Sequence, residues 1–126
     1  MKCEELVVLV NSNLARVFEK NNLNLIGEGF DPERNYSTVT WKSDSFMLEV
    51  YSDPMGGEIN CRIKDISQKI DGEWRYIYEV VPPTMDELKI AYTAIRSENE
   101  QLNSIIVKLR KFLENKILGA MGEACN

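Results

Sequence analysis

The sequence predicts an α+β fold: an N-terminal helix, an antiparallel meander of four or five strands, then one long helix or two consecutive helices packed on one sheet face. Three observations carry this. Apolar residues recur at three- and four-residue steps near both ends of the chain and at two-residue steps between them. The strand-like segments are joined by short turns, with no helical crossover to support a parallel sheet. Pro82-Pro83 then divides the strand-rich middle from the helical tail. The length, 126 residues, falls in the single-domain range of roughly 100–200, so residues 1–126 read as one α+β domain.

The first helix is expected from about Glu4 to Lys20. Leu6, Val10, Leu14, Val17 and Phe18 make one apolar stripe, and Glu4, Glu5 and Lys20 sit at the ends that suit the helix dipole. Asn21-Asn22 ends it, because asparagine tolerates the left-handed conformation of a C-cap. Leu23, Leu25 and Gly27 suggest a short fifth strand. Asp31 to Asn35 is a loop, and Tyr36 to Lys42 has the Thr, Val and aromatic content of a strand. After a tight turn at Ser43-Asp44, Phe46, Leu48 and Val50 alternate with Met47, Glu49 and Tyr51. Asp53-Pro54-Met55-Gly56-Gly57 is a hairpin loop whose glycines supply positive φ. Ile59, Cys61 and Ile63 then alternate with Glu58, Asn60, Arg62 and Lys64. Asp71-Gly72 signals another hairpin, and Trp74 to Val81 reads as the last strand, with its facing unresolved.

In the tail, Thr84-Met85-Asp86-Glu87 and Ser97-Glu98-Asn99-Glu100 both have the capping-box pattern. A break near Arg96 and one continuous helix remain open alternatives. Met85, Leu88, Tyr92 and Ile95 form one inner stripe. Leu102, Ile105, Ile106, Leu109, Phe112, Leu113 and Ile117 form a stronger one, and Gly119 reads as a stop. The width of the second stripe favours packing on the sheet over a narrow coiled-coil seam, with a homodimer through the C-terminal helix as the other reading.

Composition excludes several functions. The formal charge of −5 arises in residues 22–82, where six basic residues meet eleven acidic ones. An acidic chain of pI about 4.8 lacks the basic patch that phosphate contacts require, which argues against nucleic acid and toward a basic protein partner. The longest apolar run, Leu6 to Val10, is far short of the ~20 residues of a membrane span. Glu4 and Glu5 stand where a secretory signal would be positive, so the expected compartment is the cytoplasm and no membrane contact is expected. Three cysteines, Cys3, Cys61 and Cys125, are too few and too scattered for a disulfide framework, and Cys61 reads as a core residue.

The chain contains no histidine, so Ser-His and Cys-His nucleophiles are impossible and the commonest metal ligand is missing. No cofactor is implied. Glu49, Asp53 and Glu58 flank one hairpin, and with Glu49 and Glu58 as near neighbours across it they would be the best case for carboxylate chemistry or Mg²⁺. Their alternation is already explained by a solvated strand face. Trp41, Trp74, Tyr76 and Tyr78 form an aromatic set expected in the core or under a helix, with a protein interface as the alternative. The residues expected to contact a partner are the outward-pointing Glu49, Tyr51 and Glu58. Tyr51 would be the anchor and the glutamates the steering charges.

The stretch from Gly29-Phe30-Asp31-Pro32-Glu33 through Phe46 to Asp53 and on to Gly57-Glu58-Ile59-Asn60-Cys61-Arg62-Ile63 resembles a group of small uncharacterised bacterial proteins built as helix, antiparallel hairpins, helix. Some of these resemble immunity proteins encoded beside polymorphic toxins. The resemblance covers residues 25–65 and stops before Pro83. It implies a non-catalytic binding role, as an inhibitor of a basic toxin, and assigns no contact residues. A secretion chaperone or adaptor and a carboxylate-based, metal-assisted enzyme are the competing readings.

Overall fold

The computed structural model describes residues 1–67, 72–82, 85 and 97–125, with the backbone alone for 116–125. It is α+β: helix α1 (Cys3–Lys20), strands β1 (Asn24–Asp31), β2 (Tyr36–Lys42), β3 (Phe46–Asp53), β4 (Glu58–Asp65) and β5 (Arg75–Tyr76), a helical turn α2 (Ile77–Val80), and helix α3 (Glu98–Cys125). The five strands form one antiparallel sheet in sequence order.

Each turn follows from its residues. Asn22 at φ 56° closes α1, while the Leu23 amide donates to the Phe18 carbonyl at 2.9 Å. The Ser43 hydroxyl accepts from the amides of Ser45 and Phe46 at 3.1 and 3.2 Å and sets the β2–β3 turn. Gly57, at φ +65°, supplies the left-handed residue of the β3–β4 turn, and the Asp53 carboxylate accepts from the Gly56 amide at 3.3 Å. These turns fix the register that places Leu48 opposite Ile63 and Val50 opposite Cys61.

One sheet face carries the core. Phe46, Leu48, Val50, Ile59, Cys61 and Ile63 are all buried there, with Val39 and Trp41 from β2, under Leu6, Val10, Leu14 and Phe18 of α1 and Leu102, Ile105, Ile106, Leu109 and Leu113 of α3. Trp41 meets the Phe18 ring edge-on at 5.5 Å, so this tryptophan belongs to the core as expected. α3 is tied to the hairpin by Gln101. Its Oε1 accepts from the Ile59 amide at 2.9 Å and its Nε2 donates to the Gly57 carbonyl at 3.1 Å. Arg110 donates to the Asn13 carbonyl of α1 at 2.8 Å. Among the described residues no helix is long and apolar enough to cross a membrane.

Four expectations need correction. The first strand is longer than its apolar pattern suggested, running to Asp31 with a bulge between Leu25 and Gly27. The last strand is far shorter than Trp74 to Val81. Continued as a strand, it would turn Glu79 toward the core along with Ile77 and Val81. The helical turn instead brings Ile77 and Val81 together against the core, joined by a 2.8 Å amide bond, and frees Glu79 to pair with Arg75 at 3.5 Å. Met85 is 72% exposed and does not belong to an inner stripe. Gly119 does not stop the tail helix, which continues to Cys125, because a glycine ends a helix only when it turns left-handed and Gly57 is the one described glycine that does. Ser97 does act as a cap, accepting from the Glu100 amide at 3.2 Å. The Asp71 turn residue, the capping pattern at Thr84 and the stripe positions Leu88, Tyr92 and Ile95 lie outside the described residues.

Leu48 is fully buried between both helices and the neighbouring strands. Leu48→Ala is expected to lower unfolding free energy by about 2–5 kcal/mol in chemical denaturation. A loss below ~1 kcal/mol would contradict this packing.

Candidate functional site

Strand alternation sends a second set of side chains to the opposite face of the sheet, which no described helix covers. Residues directly opposite on antiparallel strands share a face. The pairs Thr38–Tyr51, Thr40–Glu49, Glu49–Arg62, Tyr51–Asn60 and Arg62–Tyr76 therefore assemble one surface.

Arg62 is its centre. Its guanidinium pairs with the Glu49 carboxylate directly across the hairpin. It also lies over two rings, 5.7 Å from the Tyr51 centroid and 5.5 Å from that of Trp74. The Arg62 Nε is buried without a hydrogen-bond partner among the described residues. The flanking π faces attract the cation in place of an acceptor. The hydrogen bond it donates to the Glu49 carboxylate is the main reason Arg62 holds its proton even more firmly than a free arginine.

Around this centre the aromatics are ordered. Tyr36 stacks on Tyr51 at 5.5 Å, and Tyr76 stacks on Tyr78 at 5.2 Å with the rings nearly parallel. The Tyr51 hydroxyl donates to Glu58 at 3.0 Å, and Asn60 donates to the same carboxylate oxygen at 2.9 Å. Lys64 also lies over Trp74, 5.7 Å from the ring centroid. Arg34 reaches Asp53 at 3.7 Å. The result is a layer of Tyr, Trp and Arg, rimmed by acidic side chains toward the β3–β4 turn.

The three residues expected to meet a partner do occupy this face, in different states. Glu58 is exposed, whereas Glu49 is engaged by Arg62. Tyr51 is only 5% exposed in the free chain, because Tyr36, Arg62 and its own hydrogen bonds already enclose it. The expectation that Glu49 and Glu58 are near neighbours across the hairpin is corrected by the register, which sets Glu49 against Arg62 and Glu58 against Asp53. Arg62 and Tyr36 were missed as functional residues. A signal for Arg62 was present: closing the hairpin at Asp53 and Glu58 pairs residues whose numbers have a fixed sum, and Glu49 then meets Arg62.

Burial, then the Glu49 charge, raises the Tyr36 phenol above its ordinary value of 10.0. Burial, with hydrogen bonds to Tyr76 and Glu58, raises Tyr51 much further. A phenol held protonated cannot serve as a base near neutrality. Burial also pushes up the Cys61 thiol on the core face, which removes it as a nucleophile. Among the described residues no three His, Cys, Asp or Glu side chains gather as a metal site. The side chain of Cys125 lies outside the described residues, and Cys3 donates to the Gly29 carbonyl at 3.3 Å.

No family model, curated protein or solved structure matches this chain.

The raised phenols make stability depend on alkali. Below pH 10 folded and unfolded chains both keep these protons. Above it the unfolded chain releases protons that folded Tyr36 and Tyr51 retain, so unfolding free energy falls as pH rises through and beyond 10. Denaturant titrations across that range should show the decline, and Tyr51→Phe should reduce it. Stability that holds level above pH 10 would contradict the enclosure of these rings.

Proposed function

We propose that this chain is a non-catalytic, cytoplasmic protein-binding module whose docking surface is the aromatic face of the sheet, and that it acts as an immunity-like inhibitor of a basic toxin. The observation that supports this reading is the layer formed by Tyr36, Trp74, Tyr76 and Tyr78 around Arg62. Tyrosine, tryptophan and arginine are the residues in which binding energy concentrates at protein interfaces. Here their rotamers are held before any partner arrives, which lowers the entropy lost on docking. Glu58 at the rim, which has no ion-pair partner among the described residues, supplies the acidic charge that would steer a basic partner.

Within this reading Tyr51 is the support beneath the contact surface, and Glu49 sets the position of Arg62. The exposed contacts are then Glu58, Tyr78 and the outer edges of Trp74 and Tyr76. Carboxylate chemistry gains no support, since Glu49 is neutralised by Arg62 and stands apart from Glu58. The apolar stripe of α3 is consumed by the chain's own core, which turns the proposal toward the sheet and away from a homodimer through that helix.

Association kinetics with the protein encoded beside this chain's gene test the proposal. Reversing Glu49 would press a second cation against Arg62, so Glu58→Lys is the informative change. Because it also removes the acceptor of the Tyr51 hydroxyl, it should cost about 1 kcal/mol of stability while slowing association about tenfold or more at low salt. The difference should vanish near 1 M salt, where screening acts over ~3 Å. A neighbour that fails to bind, or an on-rate indifferent to both charge and salt, would contradict the proposal.

A further inference from the structure

Strand β1 is an edge: among the described residues it pairs with β2 and with no other strand. Leu25 stands opposite Trp41, Glu28 opposite Val39 and Phe30 opposite Ser37. Those three β2 side chains are buried on the helix side of the sheet, yet their β1 counterparts are not. Leu25 is 43% exposed, Phe30 is 57% exposed, and Ile26, the extra residue of the bulge, is 53% exposed. Glu28 is exposed between them and makes no ion pair among the described residues. The helix-side margin of this edge is therefore apolar, then acidic, then apolar, beside a row of backbone groups that no described strand satisfies. Protein edges are usually short or charged for this reason, and three large apolar side chains in eight residues depart from that rule.

An open edge receives an extended segment by strand addition. A second copy fits poorly. Continuing the sheet between two copies requires a two-fold axis perpendicular to it, so that paired residue numbers have a constant sum. The register that sets Ile26 against Phe30 then sets Glu28 against Glu28, two like charges directly opposed. A cation at that position in a different chain turns the clash into an attraction. We infer that the β1 edge accepts an extended segment of another protein carrying a basic residue opposite Glu28 and apolar residues two positions to either side, opposite Ile26 and Phe30. The inference rests on the edge and its charge, and none of its residues belongs to the aromatic layer.

Two short synthetic peptides test it. Both alternate threonine with a second series, which reads valine, lysine, valine in one peptide and valine, glutamate, valine in the other. Each is titrated into isotope-labelled protein while backbone amide shifts are followed. The lysine peptide is expected to move the amides of Asn24–Asp31 and to bind about fivefold or more tightly than the glutamate peptide. Glu28→Lys, with an unchanged thermal midpoint, should reverse that preference. The inference is overturned if the lysine peptide moves no β1 amide, if the two peptides bind alike, or if β1 amides become protected as protein concentration rises, which would make the occupant a second copy.

Discussion

The pairing of Glu49 with Arg62 across the β3–β4 hairpin organises both faces of the sheet. Register in a strand pair is all or nothing: a slip of one residue exchanges the two faces. The register that brings these charges together also brings Val50 onto Cys61 and Leu48 onto Ile63 on the reverse side. Core packing and surface order are therefore two consequences of one alignment. The ion pair alone is 33% exposed on its arginine side and worth little more than a surface pair would be. Its importance is positional, because it places a planar cation where Tyr51 and Trp74 can flank it.

From that centre the outer face follows step by step. Arg62 fills the space between rings that would otherwise rotate freely, Tyr36 stacks on the enclosed Tyr51, and the Tyr51 hydroxyl is held by Glu58. Gly29 contributes from the margin. A Cβ there would come within 2.7 Å of the Thr38 hydroxyl, so a larger residue would push apart the strand pair that carries Tyr36. Among the described residues no helix covers this ordered aromatic layer. The helix-side face has no comparable ambiguity, since α1 and α3 fill it.

Much of this was legible in the sequence, for identifiable reasons. The alternation of Phe46, Leu48 and Val50 with Ile59, Cys61 and Ile63 fixed the core face, because a half-buried strand leaves few other patterns. The stripes of α1 and α3 were plain for the same reason. The end of β5 was not legible: Ile77 and Val81 fit either period, and only the cost of turning Glu79 inward decides between them. Nor was the state of the outer face. Alternation shows which residues leave the core, but it does not show that Tyr51 is enclosed by Tyr36 and Arg62 or that Glu49 is engaged. Those facts depend on cross-strand neighbours, and so on the register.

The most direct test of the account is a cross-saturation footprint of this chain mixed with the protein encoded beside its gene, which reports the protons that lie within contact distance. The account predicts saturation at Trp74, Tyr76, Tyr78 and Glu58, with the exposed Val8 on α1 and Val107 on α3 unaffected. A footprint on Val107 and its helix, with the four sheet-face residues silent, would contradict it and move the binding surface to α3.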